Sequence, residues 1–434
     1  MDREPFLCES IVQALRQGRV PDRGLERIAV GRHDERRQLR RDVAFSKCGG
    51  SWVRFVSGDY GAGKTFLCSW VREEAWREGF VVAAVDLGRD APFHRFEVMY
   101  QRIMEGLRTE HFQALPAFEF ILQEWLFNLE KDVQRSLGLN PWKHDYRAQI
   151  ATVVDAHIDQ QLATLRIHDS SFGKALRSYY AAAQYSNDIV ATAAANWLKG
   201  IPTLSANLRP ERGIRGGVAK ENAFDFLRAM ATLIVHIGYA GLLVIFDEAE
   251  LICGIARAES RNAAYENIRL LMDWTAQGDF AHCGFLFAGA EDLLSDDRRG
   301  VPSYPSLYEQ LKPPAGRSKT PEFRQPLLEL AGFQETSLSE MARKVREVHG
   351  VAYGWQPDQR LTDDLLNRLI QEAAAQVGET FRTVPRGFLK VLIDVLDEIQ
   401  RYPHVAASEV IRVTDYVERI EEVERQEAHL TESL

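Results

Sequence analysis

Residues 52–65, WVRFVSGDYGAGKT, decide the fold. The first six are an apolar, β-rich run, and apolar residues at helical spacing begin at Phe66. Between them, residues 58–65 fit the pattern G-x-x-x-x-G-K-[ST] at every fixed position. A glycine loop between a buried strand and a helix is typical of phosphate binding, because backbone N–H groups and the helix N-terminus face the anion. The sequence therefore predicts a P-loop.

The residue types in this loop match its predicted chemistry. Glycine lets the backbone wrap round a phosphate with no Cβ in the way. We expect Lys64 to neutralise the β and γ phosphates during catalysis, and the Thr65 hydroxyl to ligate Mg²⁺. The expected cofactors are ATP and Mg²⁺, and the predicted nucleotide-binding residues are Gly58, Asp59, Tyr60, Gly61, Ala62, Gly63, Lys64, Thr65 and Phe66.

Strand and helix patterns continue outward from the loop. Apolar runs at 80–87, 241–246, 284–290 and 327–330 predict further strands, and 92–108 is apolar at helical spacing. We expect an α/β P-loop NTPase fold on a parallel sheet, with the run 284–290 between the P-loop strand and the run 241–246. The long gap before residue 241 predicts a helical insert at about 109–214.

The C-terminal part reads as helices only. Amphipathic segments at 337–349, 362–377, 384–402 and 408–427 are separated by Gly, Pro or Asp signals. We expect them to form a helical lid domain. The predicted division is an N-terminal helical or linker segment at 1–45, an ATPase core at 46–335 that includes the insert, and the lid at 336–434.

Two adjacent acids, Asp247 and Glu248, follow the run 241–246. Open parallel sheets bind their ligands at the carboxyl ends of strands. We expect Asp247 to hold Mg²⁺ through its water shell and Glu248 to polarise the attacking water, so the pair predicts hydrolysis rather than storage of nucleotide. A plain helix-capping role for 247–250 is the alternative, and Glu250 fits it best.

Other charged residues are candidates for contacting phosphate. Glu291, after the run 284–290, stands where a polar sensor is expected, although Asn or Thr would suit that role better. Arg386 opens a C-terminal helix, and its guanidinium fork suits a catalytic lid sensor, with Arg382 or a plain surface role as alternatives. Candidates for completing a neighbouring subunit's site lie in or beyond the loop after the fourth strand: Arg298 and Arg299, with Arg317 and Arg324 behind them.

Composition excludes several classes of protein. The 53 Lys and Arg against 62 Asp and Glu give a net charge of −9, which argues against a generic nucleic-acid coat. With 45% hydrophobic and 26% charged residues, the chain has an ordinary globular composition. No apolar run approaches the roughly 20 residues that cross a bilayer, and no apolar signal region follows the charged opening, so we expect a cytoplasmic protein.

The motifs together resemble those of known ATPases. A Val30-Gly31-Arg32 box, the P-loop, Asp247-Glu248 and Pro385-Arg386 resemble AAA+ ATPases of the initiator (ORC/Cdc6-like) type. More closely, 11–21 (IVQALRQGRVP), 28–32 (IAVGR), the P-loop and 291–308 (EDLLSDDRRGVPSYPSLY) look like the ATP-binding family of the BREX (bacteriophage exclusion) system. The resemblance implies an AAA+ fold, self-association and a role in phage defence beside a DNA methyltransferase and other BREX components.

One segment is basic within this acidic chain. Residues 161–220 hold 8 Lys or Arg against 3 Asp or Glu, a local charge of 8 − 3 = +5. Tyr179, Tyr180 and Trp197 are interleaved, either as core residues or as base-stacking platforms. Initiator relatives carry a C-terminal winged helix, for which too few residues follow Tyr402. Double-stranded DNA and protein docking are both open as roles for the segment.

Two functional classes fit these patterns. The first is a Mg-ATP-dependent motor or switch in a BREX complex, working on or near DNA. The second is a slow-turnover, nucleotide-gated scaffold that regulates protein partners without touching DNA, which the weak sensor at Glu291 favours. A kinase is disfavoured because Glu248 suits water activation and no acceptor-site motif is evident.

Overall fold

The computed structural model describes residues 4–137, 153–154, 158, 170–184, 187–201, 214, 216–312, 324–333, 335–377 and 385–410. A sheet in the order β3-β2-β4-β5-β1-β6 runs through the molecule. Its strands are β1 Ser51–Ser57, β2 Val81–Asp86, β3 Leu107–Arg108, β4 Leu242–Asp247, β5 Cys283–Gly289 and β6 Leu327–Glu329. All pairs are parallel except β2 with β3. The predicted α/β fold on a parallel sheet is therefore confirmed.

The predicted strands occur in the sheet, and β5 lies between β1 and β4 as predicted. The edge strand β3 was not predicted, because two residues are too short to show a period. The sequence pattern placed them at the end of a helix spanning 92–108. That helix instead covers Phe96–Gly106, and Gly106 lets the chain pass close to β2, since a Cβ there would lie 3.3 Å from the Ala84 carbonyl oxygen.

Helices cover both faces of the sheet, as a buried parallel sheet requires. One face packs against α4 to α9, and the opposite face packs against α1 to α3 and α12 to α14. The helices are α1 Glu4–Arg16, α2 His33–Lys47, α3 Lys64–Arg77, α4 Phe96–Gly106, α5 Phe118–Leu137, α6 Ser170–Gln184, α7 Asp188–Leu198, α8 Ala223–Ile237, α9 Ala258–Ala276, α10 Asp292–Ser295, α11 Pro305–Leu311, α12 Glu335–Tyr353, α13 Asp363–Val377, α14 Pro385–Arg401 and α15 Ala407–Val410. Most of the helix predicted at 408–427 lies outside the described residues.

Three aromatic residues of the basic segment belong to the protein core. Tyr179, Tyr180 and Trp197 are 5%, 2% and 2% exposed and pack in the cluster beneath the sheet. The Trp197 indole donates to the Gly216 carbonyl at 3.1 Å. These rings therefore serve packing, and the base-stacking alternative is wrong for them. Of the basic residues, Lys199 pairs with Glu119 at 2.6 Å, whereas Arg166, Arg209, Arg212 and Arg215 lie outside the described residues.

A partly buried polar cluster connects helix α1 with the C-terminal helices. The Arg16 guanidinium contacts the Asp397 carboxylate at 2.7 Å. The imidazole of His349, which is fully buried, accepts at Nδ1 from the Trp355 indole, so its Nε2 carries the proton and donates to Asp397 at 3.0 Å. Burial opposes ionisation of Asp397, but the hydrogen bonds from His349 and Arg16 outweigh it and hold its pKa below the ordinary value.

We expect Asp397→Ala to lower the free energy of unfolding by about 1–3 kcal/mol, because it leaves the buried His349 N–H without an acceptor. Since the folded pKa of Asp397 is depressed, its contribution is present at neutral pH and is lost as the pH falls through that folded pKa. Urea unfolding at pH 7 and in acid measures both effects. Exposed Glu347→Ala on α12 is the control, and an equal midpoint for the two variants contradicts the account.

Candidate functional site

The loop 58–65 joins β1 to α3 and depends on its glycines. Gly61 and Gly63 have φ of 79° and 92°, in the left-handed region that glycine adopts without strain. A Cβ on Gly58 would lie 2.9 Å from the Leu330 carbonyl oxygen, just beyond β6. The shape of the loop therefore depends on glycine at positions 58, 61 and 63, and glycine lets a backbone approach a phosphate closely.

Positive charge is gathered over this loop. Lys64 Nζ donates to the carbonyl oxygens of Gly58 at 2.7 Å and Asp59 at 3.0 Å. Lys64 is also the first residue of α3. The free N–H groups at the start of the helix and the positive end of its dipole therefore face the same loop as the Lys64 ammonium group. This arrangement suits the phosphates of a nucleotide.

The two predicted magnesium ligands meet across the sheet. The Thr65 hydroxyl lies beside the carboxyl group of Asp247 and acts to lower its pKa. Asp247 Oδ1 accepts from the Glu248 backbone N–H at 2.9 Å. Burial, with the charges of Asp86 and Glu250, outweighs these two contacts and raises the pKa of Asp247. A cation at this junction would relieve that clustering of negative charge.

The donor set fits Mg²⁺ bound together with a nucleotide. A hydroxyl and a carboxylate are hard oxygen ligands, and Mg²⁺ usually takes only one or two protein ligands beside phosphate oxygens and water. Within the described part of the chain, no group of three or more His, Cys, Asp and Glu side chains is arranged to hold a metal alone. Thr65 and Asp247 would therefore act with the phosphates rather than as a self-sufficient cage.

Asp86 is a site residue that the sequence reasoning missed. It ends β2 and pairs in register with Asp247, which ends β4. Its charge contributes to the raised pKa of both Asp247 and Glu248. A signal was present, because the runs at 81–86 (VVAAVD) and 242–247 (LLVIFD) both end in an aspartate at the strand terminus.

Glu248 has an unusual backbone conformation beside this junction. Its φ is 57°, in the left-handed region, which non-glycine residues enter chiefly at special sites. Partial desolvation of its carboxyl, and then the charges of Asp86 and Asp247, raise its pKa. A carboxylate with a raised pKa is a stronger base, so the geometry and the charge both suit proton abstraction. Although Glu248 precedes a short 3₁₀ turn, its side chain makes no capping bond.

Glu250 and Glu291 lie at the edge of the site. Among the described residues, Glu250 Oε2 is buried without a hydrogen-bond partner, and it faces Gly289 at the end of β5, 3.2 Å from where a Cβ would lie. Glu291 is exposed and uses its backbone oxygen to accept from Leu294 and Ser295. A sensor role for Glu291 stays a prediction.

The candidate arginines differ in their surroundings. Arg298 and Arg299 are exposed in the loop after α10. The Arg299 guanidinium donates to the Ile255 carbonyl at 3.3 Å, whereas that of Arg298 has no hydrogen bond or ion pair within the described residues. Arg386 is exposed near the start of α14, with its methylenes 3.8 Å from a Cβ position on Gly18. Arg324 is exposed, and Arg317 and Arg382 lie outside the described residues.

The Val30-Gly31-Arg32 box connects the P-loop with the C-terminal helices. Gly31 and Arg32 both have left-handed φ, 58° and 52°. The Arg32 guanidinium donates to the carbonyl oxygens of Ala62 in the P-loop and Ala331 beyond β6. Lys344, on α12, donates to the Ala29 carbonyl. The box thus ties the loop, the end of the sheet and the C-terminal helices together.

The P-loop on β1, the acids on β4 and the strand β5 between them define a P-loop nucleotide-binding protein. The chain belongs to the family described as BREX system ATP-binding protein BrxC/D, whose model matches residues 7–415. The resemblance to the BREX ATP-binding family is thereby confirmed, and ATP binding follows as the family's shared property.

Comparison with individual proteins adds a distant structural likeness. The ORC2 protein of Aeropyrum pernix, solved as ADPNP and ADP complexes, is 15% identical, with 89% of this chain and 67% of that chain covered and a TM-score of 0.43. No curated protein shows a significant match. Among the helices described here, none has both the length and the apolar character to cross a membrane.

We expect Gly58→Ala to weaken ATP binding by about tenfold, equivalent to about 1.4 kcal/mol, because the new Cβ must displace the P-loop from Leu330. Titration with a fluorescent ATP analogue measures the dissociation constant. Gly332→Ala is the matched control, since a Cβ there meets nothing within 4 Å. Equal affinity for the two variants would show that the close approach at Gly58 does not shape the site.

Proposed function

We propose that this protein is a Mg-ATP-dependent ATPase of the BREX system. The observation that carries the proposal is the placement of the Thr65 hydroxyl beside the Asp247 carboxyl group, with Glu248 adjacent. It brings a metal-binding hydroxyl, a metal-binding carboxylate and a candidate base to the mouth of one P-loop. ATP binding alone would not require the base.

Each residue has a proposed role in hydrolysis. Lys64 and the loop N–H groups bind and orient the phosphates, and Thr65 with Asp247 would hold Mg²⁺. Bound Mg²⁺ supplies charge neutralisation on the phosphate oxygens. Glu248 takes a proton from the attacking water, and its raised pKa favours that transfer.

Completion of the site by a second copy of the chain is part of the proposal. Arg298 is the best trans-acting candidate, because it is exposed and its guanidinium makes no hydrogen bond within the described residues. Arg299 is the alternative, although it already donates to Ile255. Arg386 would sense the nucleotide from the lid. An arginine supplied in this way stabilises charge as the γ-phosphate is transferred.

The proposed setting is a cytoplasmic BREX complex with other components, including a DNA methyltransferase. Action on or near double-stranded DNA would rest on the positive charge of 161–220, since Tyr179, Tyr180 and Trp197 are buried. The second candidate is a slow-turnover scaffold that changes protein partners with its bound nucleotide. Glu291 favours this candidate, because an exposed acid is a poor sensor of the γ-phosphate.

We expect Glu248→Gln to bind ATP normally and to lower the hydrolysis rate by about 100-fold or more, the usual effect of losing a general base. Steady-state turnover and nucleotide affinity are measured on the same preparation. Exposed Glu259→Gln on α9 is the control. Normal hydrolysis by the Glu248 variant would overturn the assignment of the base.

The raised pKa of Glu248 predicts a pH effect. Hydrolysis should fall as the pH drops through this pKa, because the base becomes protonated. Asp86→Asn removes a neighbouring negative charge, so the pKa should fall and the acid limb of the rate profile should move to lower pH. The kcat profile from acid to neutral pH tests this shift, with exposed Asp90→Asn as the control. An unmoved acid limb would exclude coupling between Asp86 and the base.

A further inference from the structure

The loop that carries Arg298 is anchored by a buried phenol. Tyr265, on α9, is fully buried, and its hydroxyl donates to the Arg299 backbone carbonyl at 2.6 Å. Neighbouring Tyr304 instead donates to Glu266 at 2.7 Å, so it serves a different contact. Tyr265 therefore fixes the backbone directly beside Arg298.

The same phenol also touches the turn that follows Glu248. Cys253 Sγ lies 3.6 Å from the Tyr265 hydroxyl. Because the phenol gives its proton to Arg299, the thiol is the donor of this pair. Cys253 caps the C-terminal end of the 3₁₀ turn Ala249–Ile252, and its backbone N–H donates to the Glu250 carbonyl at 2.9 Å. Tyr265 thus joins the turn beside the candidate base to the loop of the candidate trans arginine.

Local hydrogen bonds and close packing constrain the backbone of the loop that carries Arg298. Asp296 Oδ1 accepts from the backbone N–H groups of Arg298 at 2.8 Å and Arg299 at 3.1 Å. A Cβ on Gly300 would lie 2.7–2.8 Å from three carbonyl oxygens, so the next residue is closely packed. The backbone is thus held on both sides of Arg298, whose side chain is exposed.

We propose that Tyr265 is a positioning residue, which holds Arg298 in place for the nucleotide of a neighbouring subunit. The inference rests on the proposed function, since it takes Arg298 to act in trans. The Tyr265 hydroxyl would act through the loop backbone, because it is buried and its contacts are the Arg299 carbonyl oxygen and Cys253 Sγ. The bond to Arg299, at 2.6 Å, is shorter than the weak thiol contact with Cys253 at 3.6 Å. Loss of the hydroxyl should therefore impair the subunit that donates the arginine and spare the subunit that binds the ATP.

Mixtures of two inactive full-length variants test this asymmetry. A Glu248→Gln subunit cannot hydrolyse but still donates Arg298, and an Arg298→Ala subunit keeps its own site but donates no arginine. An equal mixture should recover about a quarter of the wild-type rate, since half the sites are intact and half of those receive an arginine across a heterologous interface. Tyr265→Phe is then added either to the Glu248→Gln subunit, which is the arginine donor, or to the Arg298→Ala subunit, which is the acceptor.

We expect Tyr265→Phe in the donor to lower the recovered kcat by about tenfold with KM for ATP little changed, as loss of a transition-state contact requires. The same substitution in the acceptor should leave the recovered rate intact, which also shows that the variant folds. Tyr304→Phe in the donor is the matched control and should have no such effect.

The outcomes separate the two hypotheses. If Glu248→Gln and Arg298→Ala fail to complement, the shared site is wrong and the positioning role falls with it. If they complement, but Tyr265→Phe has no effect or acts equally in donor and acceptor, the shared site stands and only the positioning role is overturned.

Discussion

The approach of the Thr65 hydroxyl to the Asp247 carboxyl group is the contact on which the rest of the site depends. Thr65 lies at the start of α3 and Asp247 at the end of β4, and β5 separates β4 from the P-loop strand. The two side chains meet only because α3 crosses the sheet over β5. Sheet order, helix position and P-loop shape therefore converge on one polar junction.

Charge at this junction is unbalanced in the protein alone. Burial, and then the charges of Asp86 and Glu250, raise the pKa of both Asp247 and Glu248. These acids would stabilise a cation that binds together with phosphates. The Glu248 carboxylate, which is not one of the proposed metal ligands, would stay basic. The electrostatic cost that the protein carries thus matches the chemistry proposed for it.

Local patterns predicted much of the fold and site, because a P-loop and buried strands are encoded by short, contiguous residues. The five longest sheet segments and the place of β5 were predicted, whereas Leu107–Arg108 was missed because its pairing depends on an edge left open by β2. Asp86 was missed because its importance arises only from its register with Asp247. The contacts of Arg32 and Tyr265 join residues distant in sequence, for which spacing gives no signal.

These long-range contacts connect the nucleotide site with the surfaces that would respond to it. Arg32 ties the P-loop to the exit from β6, and Tyr265 ties the Glu248 turn to the Arg298 loop. The most direct test of a shared ATPase site is Mg²⁺-dependent ATP turnover per subunit across a protein-concentration series. The account predicts a rate that climbs with concentration and then reaches a plateau as subunits assemble. A rate per subunit that is the same at every concentration would contradict it.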